Sequence, residues 1–465
     1  MSLIVAGGGL VRLIAAQGDL WLDEIWTLTL LAPIRSVGEI LFGIAHDNNH
    51  HLNSIYLYLI GPDASSLAQR GLAVALGTAT VAVAGFAAAP GGRAAVVFAM
   101  LLFAFAYPMV HYGSEARGYA GLVLFLLLAL VLLQRSFDRP DWRVRHALGL
   151  AIGLGLLSHL TMVAVTVILA VWAFWVLSRQ AGNSRQTAVA TLAIFRPALA
   201  WTFAVGACLG VAGVRHGFTV GGVTPFSATN FSDGYGGLIR LLLGMPDSLA
   251  DRVPGWIWLM VAMAAIMSAA YLWRSRDSRA SLYAVAVIGW PAIIFTAGAP
   301  NVQFGRYFLV SGAFFVLLLA DALADAWSRG GVWRASAGTA LGLMLVGHAA
   351  ALAAFFRDER GHYNDAIAAM ARDGRFSYGS DHEFRTRTVV EFFAAKRGVA
   401  ADYVRPDAWC ERTPQFMVIE DPRAAQRFAQ LELGSPKCPL RFERGETFSS
   451  SLLSGRQWTI YRRVP

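Results

Sequence analysis

About eleven apolar stretches follow one another along the first three quarters of this chain, near residues 2–20, 69–89, 94–110, 118–134, 145–158, 160–177, 197–214, 254–273, 280–298, 307–327 and 335–356. Each approaches the roughly 20 residues that a helix needs to cross a bilayer. The chain therefore reads as mainly α, a polytopic transmembrane helical bundle. Composition agrees, because 56% of residues are hydrophobic and 15% charged, against roughly 25% charged in a soluble domain. The 46 glycines suit helices packed closely in lipid, where small residues let backbones approach. The stretch at 2–20 is the least regular, with Gly7, Gly8, Gly9, Arg12 and Gln17. A cleaved signal peptide competes with it, and the lack of a basic leading region speaks against cleavage.

The formal net charge of +9 comes almost wholly from arginine, since lysine occurs only at Lys396 and Lys437. No P-loop lysine is available, and no basic run alternates with exposed aromatics, so the positive balance reads as membrane topology and not as nucleic-acid binding. Of the three cysteines, Cys208 lies in an apolar span. Cys410 and Cys438 share a polar C-terminal stretch, either as two buried thiols or as a disulfide, which would place that stretch in an oxidising compartment.

Short cytoplasmic loops collect arginine. With the N-terminus inside, the internal loops hold Arg93, then Arg135, Arg139, Arg143 and Arg145, then Arg179, Arg185 and Arg196, then Arg274, Arg276 and Arg279, and lastly Arg329 and Arg334. The longer external segments hold only Arg35, Arg70, Arg117, Arg215, Arg240, Arg252 and Arg306. This parity keeps the apolar run 52–60 outside as a surface helix, being too short to cross. Asp23 through Arg70 then form one long external loop, of a length that is usually functional in a compact protein.

Domain boundaries follow: a membrane domain over 1–356, with 21–68 as its first external loop and juxtamembrane helices, and a small extracytoplasmic α/β domain over 357–465. In the latter, helical patterns at 364–372 and 388–397 interleave with strand-like runs at 415–419 and 458–462. No repeat of 20–50 residues is present, and no inverted pair of interrupted helices.

The external loop opens with Trp21-Leu22-Asp23-Glu24-Ile25-Trp26, two carboxylates between tryptophans at a membrane interface. Partial desolvation makes such a carboxylate a better general base, and helix N-capping by Asp23 is the competing role. Next comes His46-Asp47-Asn48-Asn49-His50-His51-Leu52-Asn53, too dense in polar groups for packing alone. Asn53 as a helix cap and His50 and His51 as solvated groups compose the simpler reading, and a divalent metal held by His and Asp is another use of them. Two further polar groups interrupt apolar sequence at external helix ends, Tyr112-Gly113-Ser114-Glu115-Ala116-Arg117-Gly118-Tyr119 and Gln303-Phe304-Gly305-Arg306-Tyr307, and His159 lies at a third. Ionisable groups near lipid are costly and tend to be functional or paired, and these converge on one face of the membrane.

The order of an Asp-Glu pair after the first span, an Asn-His-x-Leu-type motif before a surface helix, Ser-Glu-Ala-Arg-x-Tyr, and Arg-Tyr opening a late helix resembles the GT-C membrane glycosyltransferases. Within them it is most similar to the bacterial relatives of protein O-mannosyltransferases and of lipid A aminoarabinose transferases, the glycosyltransferase family 39 type. The resemblance covers roughly residues 1–330; relatives often carry His-Pro-Pro-Leu where this chain has His50-His51-Leu52. It implies a GT-C-like fold, a sugar donor on a polyprenyl phosphate, an extracytoplasmic glycan, lipid or protein acceptor, and multi-pass residence in a bacterial inner membrane. By the same resemblance Asp23, with Glu24 beside it, takes the catalytic acidic position. Asp47, Asn48, His50, His51, Glu115, Arg117, Tyr119, His159, Arg306 and Tyr307 are the expected substrate-binding residues. The positive charge facing the departing phosphate is left to Arg117, Arg306 or a histidine.

Three other uses of these residues are compatible with the sequence. A transporter or flippase of a lipid-linked sugar would share the lateral cavity, a scaffold would tolerate loss of the loop residues, and a metal-dependent hydrolase would use His50, His51, Asp47 and Glu24. Neither the sugar nor the acceptor is readable from the residues.

Overall fold

In the computed structural model the described residues are all except 139, 140, 182, 246–252, 273–278, 372, 373, 421–427, 436, 437, 452 and 465. Arg139, Arg252, Arg274, Arg276 and Lys437, the end of the 364–372 pattern, and with them part of the arginine count, lie outside this set. The chain divides into two compact units. One comprises Met1–Ala16 and Ile34–Leu352, the other Gln17–Pro33 and Ala353–Pro465. The segment carrying Asp23 therefore groups with the C-terminal unit, although the sequence reading attached it to the membrane domain.

The first unit is a helical membrane bundle. Seven helical runs among the described residues are long and apolar enough to cross a membrane. One of them, Gly71–Phe105, takes in two of the expected spans, and Ser2–Ala15 and the 17-residue helix Trp142–Ser158 are shorter than that threshold. The span expected at 197–214 belongs to a helix that begins at Ser184 and runs through Pro197 to His216. Arg185 and Arg196 are therefore helical and not in a loop. Arg279, also counted as a loop residue, is buried, with Nη1 3.0 Å from Asp321 Oδ2.

Arg12, the anomaly of the first stretch, has a structural use. Helix Gly92–Phe105 stops at Ala106, which is extended, two residues before Pro108. The carbonyls of its last turn are left without intrahelical donors. Arg12 is fully buried and donates to the carbonyls of Phe103 at 2.8 Å, Ala104 at 3.2 Å and Met109 at 3.3 Å. Gly77 and Gly113 leave the room, because a Cβ on either would lie within 2.8 Å of Arg12 Nε.

Between the first span and Gly71 the chain of this unit forms short helices. Val37–Phe42 is capped by Ser36, whose Oγ accepts from Glu39 N–H. His51–Ile60, at 10 residues, is too short to cross a bilayer, as the apolar run 52–60 requires. Its N-cap is His50 and not Asn53. Asn53 instead donates from Nδ2 to the carbonyl of Ala116 at 2.7 Å, fastening this helix to the 113–118 turn.

The second unit is an α/β domain around a six-stranded sheet. Its strands are β1 Arg375–Ser380, β2 Ala400–Tyr403, β3 Phe416–Ile419, β4 Gln430–Ser435, β5 Cys438–Phe448 and β6 Trp458–Arg463. Their order is β2-β1-β3-β6-β5-β4, with β2, β1 and β3 parallel and the rest antiparallel. Helix Glu383–Arg397 joins β1 to β2 and begins five residues before the expected 388. It ends on Gly398, whose φ of 66° is the left-handed conformation a helix stop needs. Met417, Ile419, Leu440, Phe442 and Tyr461 form one core cluster. Cys410 and Cys438 are disulfide-bonded, with Cα atoms 5.8 Å apart and a sequence separation of 28. Closing a loop of that size stabilises a domain by about 3.6 kcal/mol in the chain-entropy picture.

The Asp23 segment is built into this unit. Asp19 Oδ2 accepts from Asn364 N–H at 2.7 Å, and Trp26 packs edge-on to Phe384 at 4.9 Å between ring centres. Gly18, at a φ of 81°, lies so close to Glu359 that a Cβ would overlap its carboxylate.

Candidate functional site

In the membrane unit the expected binding residues come together at one end of the bundle, where helix Trp142–Ser158 ends and helix Tyr119–Asp138 begins. Arg117 is the hub. It is buried, its Nη2 donates to Asn48 Oδ1 at 2.7 Å and its Nη1 donates to Tyr119 OH at 3.1 Å. Glu115, with no exposed surface, holds one oxygen 3.8 Å from Arg117 Nη1 and the other 3.8 Å from His111 Nε2. His50 and His159 stack with ring centres 4.7 Å apart, and Tyr119 lies 4.9 Å from His159 and 5.8 Å from His50. Gly118 permits this approach, since a Cβ there would overlap the carbonyl oxygen of Ser158 and stand 3.1 Å from His50.

The loop that sets this constellation is fastened from both sides. Asn49 donates from Nδ2 to the carbonyls of Ile40 and Ile44 and accepts from Ser54. Asp47 Oδ1 accepts from Gly221 N–H at 3.0 Å and lies 2.9 Å from His46 Nδ1. Thr219 N–H donates to Ala45 at 2.8 Å, so the 219–224 segment lies alongside the histidine-rich loop. The same segment is held further on by Asn301, which accepts from Thr224 N–H at 2.8 Å and donates to Gly222 at 3.1 Å, and by Gln303, which donates to Thr224 Oγ1. Asn301 has a φ of 61°, where asparagine is among the few side chains tolerated. This ordered turn leads into Gly305–Phe308, with the Arg306 guanidinium 4.5 Å from the Phe304 ring centre and 5.8 Å from that of Tyr307. Sequence reading missed the 219–224 bridge, for which Gly217, Gly221 and Gly222 were the signal.

Burial biases His50, His51 and His159 toward the neutral form. Burial lowers His51 to about 4. Burial and then the charges of Arg117 and Arg306 lower His159 to about 3, and burial and then Arg117 hold His50 well below the ordinary histidine value. In this state the fixed positive charge of the site is that of Arg117 and Arg306, which is also what lowers His50 and His159 after burial. The tautomer of His159 follows as well: Nδ1 accepts from Thr161 N–H at 3.2 Å, which places the ring proton on Nε2. His50 Nε2 and His51 Nε2 are buried without a hydrogen-bond partner among the described residues.

These depressed values have a consequence for stability. An unfolded histidine titrates near 6.5, so below that pH the unfolded chain takes up protons that the folded chain refuses, and stability falls as pH falls. Each group contributes a loss of up to about 1.4 kcal/mol per pH unit until its folded value is reached. The thermal unfolding midpoint in detergent is expected to drop steadily from pH 6.5 to pH 4.5. His51→Gln should make the slope shallower, and a slope unchanged by that substitution would show that His51 is not held neutral.

In the C-terminal unit, Asp23 and Glu24 occupy the first turn of helix Leu22–Leu31. The N-cap is Trp21, not Asp23. Glu24, 1% exposed, reaches back to accept from Trp21 N–H at 3.2 Å, closing a capping box. Asp23 is half-buried one residue earlier, and its carbonyl accepts from Thr27 Oγ1 at 2.9 Å. Of the two adjacent carboxylates, Glu24 is thus the one with a capping role. Among the described residues no three His, Cys, Asp or Glu side chains are gathered to hold a metal.

No protein-family model matches the chain, and no curated protein matches it in sequence. Solved structures match in fold. Apo ArnT from Cupriavidus metallidurans is 14% identical with a TM-score of 0.51, covering 99% of this chain and 97% of its own. The archaeal oligosaccharyltransferase AglB from Archaeoglobus fulgidus, in complex with an inhibitory peptide and a dolichol-phosphate, is 12% identical with a TM-score of 0.50 over 94% of this chain and 73% of its own. The Archaeoglobus fulgidus oligosaccharyltransferase in complex with Zn and sulfate is 13% identical at 0.50, over 90% and 68%. A helical membrane bundle followed by a small C-terminal sheet domain, matched over nearly its whole length by these structures, gives this chain the fold that ArnT and the archaeal oligosaccharyltransferase share.

Proposed function

We propose that the chain is a membrane glycosyltransferase that moves a sugar from a polyprenyl-phosphate carrier to an extracytoplasmic acceptor. The observation that carries this reading is the buried Arg117, held by Asn48 and Tyr119, whose charge and that of Arg306 both act on the same pair of neutral histidines. Two fixed cations beside neutral imidazole donors suit a lipid phosphate, whose charge grows as it departs. The dolichol-phosphate in AglB supports such a donor, the arginine distribution supports an outward-facing site, and the Cys410–Cys438 bond suits an oxidising compartment.

In the reaction a hydroxyl of the acceptor attacks the anomeric carbon. The new carbon–oxygen bond forms as the bond to the phosphate oxygen breaks, the hydroxyl proton passes to a general base, and the polyprenyl phosphate leaves with the electron pair. Arg117 and Arg306 stabilise the charge of the leaving phosphate, and the Nε2–H of neutral His159 is a further donor to its oxygens. On the resemblance given above, Asp23 is the base. A single displacement inverts the anomeric centre, because retention would need a second carboxylate acting as nucleophile.

The test is incubation of the purified protein in detergent with radiolabelled polyprenyl-phosphate sugars and membrane extracts. Label is expected to move from the lipid to a new product. If the protein in liposomes instead shields or relocates the carrier while the sugar stays attached, it is a transporter and this proposal fails.

A further inference from the structure

Within the C-terminal unit, helix Leu22–Leu31 has one covered side and one open side. Glu24, Ile25, Thr27, Leu28 and Leu31 are buried, whereas Asp23, Trp26, Thr29 and Leu30 are half-buried or exposed. Asp23 and Trp26, three residues apart, are neighbours on the open side, with Cβ atoms about 5–6 Å apart by helix geometry. Trp26 meets Phe384 edge-on, with ring centres 4.9 Å apart and an interplanar angle of 75°. Phe384 still keeps 53% of its surface exposed.

Phe384 is not a core residue of its own helix. Thr386, Val389, Val390, Phe393 and Ala394 are the buried positions of Glu383–Arg397, and at about 100° per residue Phe384 falls on the side away from them. Its place is fixed, because the first turn is pinned to the sheet: Thr386 Oγ1 donates to Glu420 Oε1 and His382 N–H to Ser380 Oγ, both at 3.0 Å. This is the carboxyl end of parallel β1 and β3. The helix after β1 lies on the Trp458 face of the sheet, where Tyr363 bridges Phe393 and Trp458, while the connection from β2 to β3 packs Trp409 against Met417 on the other face. Strand ends at which connections diverge in this way are where open α/β sheets take ligands. Exposed Asp381, His382 and Glu383 border Phe384 there. Arg385 lies 3.0 Å from Glu420 and Arg387 2.7 Å from Glu391, so the nearby cations are matched by acids of this unit.

We propose that Trp26 and Phe384 form a platform for an uncharged sugar ring of the acceptor, which makes the acceptor a glycan. The C–H face of a sugar packs on aromatic surface, and its hydroxyls donate to carboxylate and imidazole at the rim. An acidic sugar would meet Asp23, Asp381 and Glu383 as like charges. The spacing fits as well, because a ring seated against Trp26 brings a hydroxyl to Asp23, about one ring's width away. The identification as acceptor rests on the transferase reading with Asp23 as base, while sugar binding is measured without any transfer reaction.

The full-length protein, in a detergent without sugar headgroups, is mixed with maltotetraose, mannotetraose, chitotetraose, tetragalacturonate or a peptide of serine and threonine, and saturation-transfer NMR reads which ligand protons touch it. At least one neutral tetrasaccharide is expected to bind through its ring C–H protons, and tetragalacturonate not. Phe384→Leu keeps the apolar bulk and loses the ring, so it should weaken that binding about tenfold while leaving the thermal unfolding midpoint in place. Phe384→Tyr should retain it. In the transfer assay Phe384→Leu should raise KM for the acceptor more than it lowers kcat, and donor binding should stay as in the wild type. Absence of binding by all three neutral sugars at millimolar ligand, binding unchanged in Phe384→Leu, or preference for the acidic sugar or the peptide overturns the proposal. Sugar binding through Phe384 in a protein that shows no transfer would leave this site standing and count against the transferase reading alone. Transfer with an acceptor KM untouched by Phe384→Leu would count against the platform alone.

Discussion

Arg117→Met is expected to lower the rate of sugar transfer about 10²–10³-fold, the usual effect of removing one preorganised donor to a developing oxyanion. The side chain is fully committed to its position: Asn48 comes from the first loop, Tyr119 from the start of a spanning helix, and both bond the same guanidinium. Glu115 Oε1 lies 3.8 Å from Nη1, the nitrogen that donates to Tyr119. Because the phosphate gains charge only as the glycosidic bond breaks, the loss should fall mainly on kcat and less on KM. Arg117→Lys keeps the charge but not the fork that spans Asn48 and Tyr119, so it should recover only part of the rate. Tyr119→Phe removes one of the two bonds and should be milder than either. Thermal unfolding of each purified variant separates a catalytic loss from a folding loss. Wild-type transfer by Arg117→Met in a folded protein would remove the phosphate-binding role from this residue.

Much of this arrangement is legible in the sequence because it rests on local chemistry. Spans announce themselves by length and apolarity, and the 52–60 run declares itself a surface helix by being too short. Arg117, Tyr119 and His159 stand out as polar groups where a chain leaves lipid. What stays hidden depends on partners far apart in sequence. Asn48 meets Arg117 across 69 residues, and Asn301 fastens the 219–224 segment across 77. Arg12 looks like a flaw in a first span until the broken end of helix Gly92–Phe105 supplies the carbonyls it satisfies. Strands β1, β2, β4 and β5 were missed although Leu431-Glu432-Leu433 and Leu440-Arg441-Phe442 alternate as half-buried strands do, because each run is short and charged and its partner, as in Glu432 opposite Arg441, lies on another chain segment. The affiliation of Gln17–Pro33 with the C-terminal unit is likewise set by distant groups, the backbone of Asn364 and the ring of Phe384.

The pair Asp23 and Glu24 can be divided by two substitutions whose expected effects run in opposite directions. Glu24→Gln weakens the capping box that closes on Trp21 N–H, and loss of a cap costs roughly 1 kcal/mol of stability. The amide can still accept that hydrogen bond, so the drop should be smaller than for Glu24→Ala, and the transfer rate of the folded fraction should change little. Asp23→Asn leaves the capping box untouched and preserves side-chain volume, so the unfolding midpoint should scarcely move, apart from a few tenths of a kcal/mol for the lost charge near the helix N-terminus. Its kcat, however, should fall about 10²–10⁴-fold, the range for removing a positioned general base. Donor binding, measured with the polyprenyl-phosphate sugar alone, should be retained, since the base acts on the acceptor hydroxyl and not on the phosphate. The reverse pattern, with Glu24→Gln inactive but stable and Asp23→Asn active, would transfer the base role to Glu24 and leave its hydrogen bond to Trp21 as the means of positioning that base.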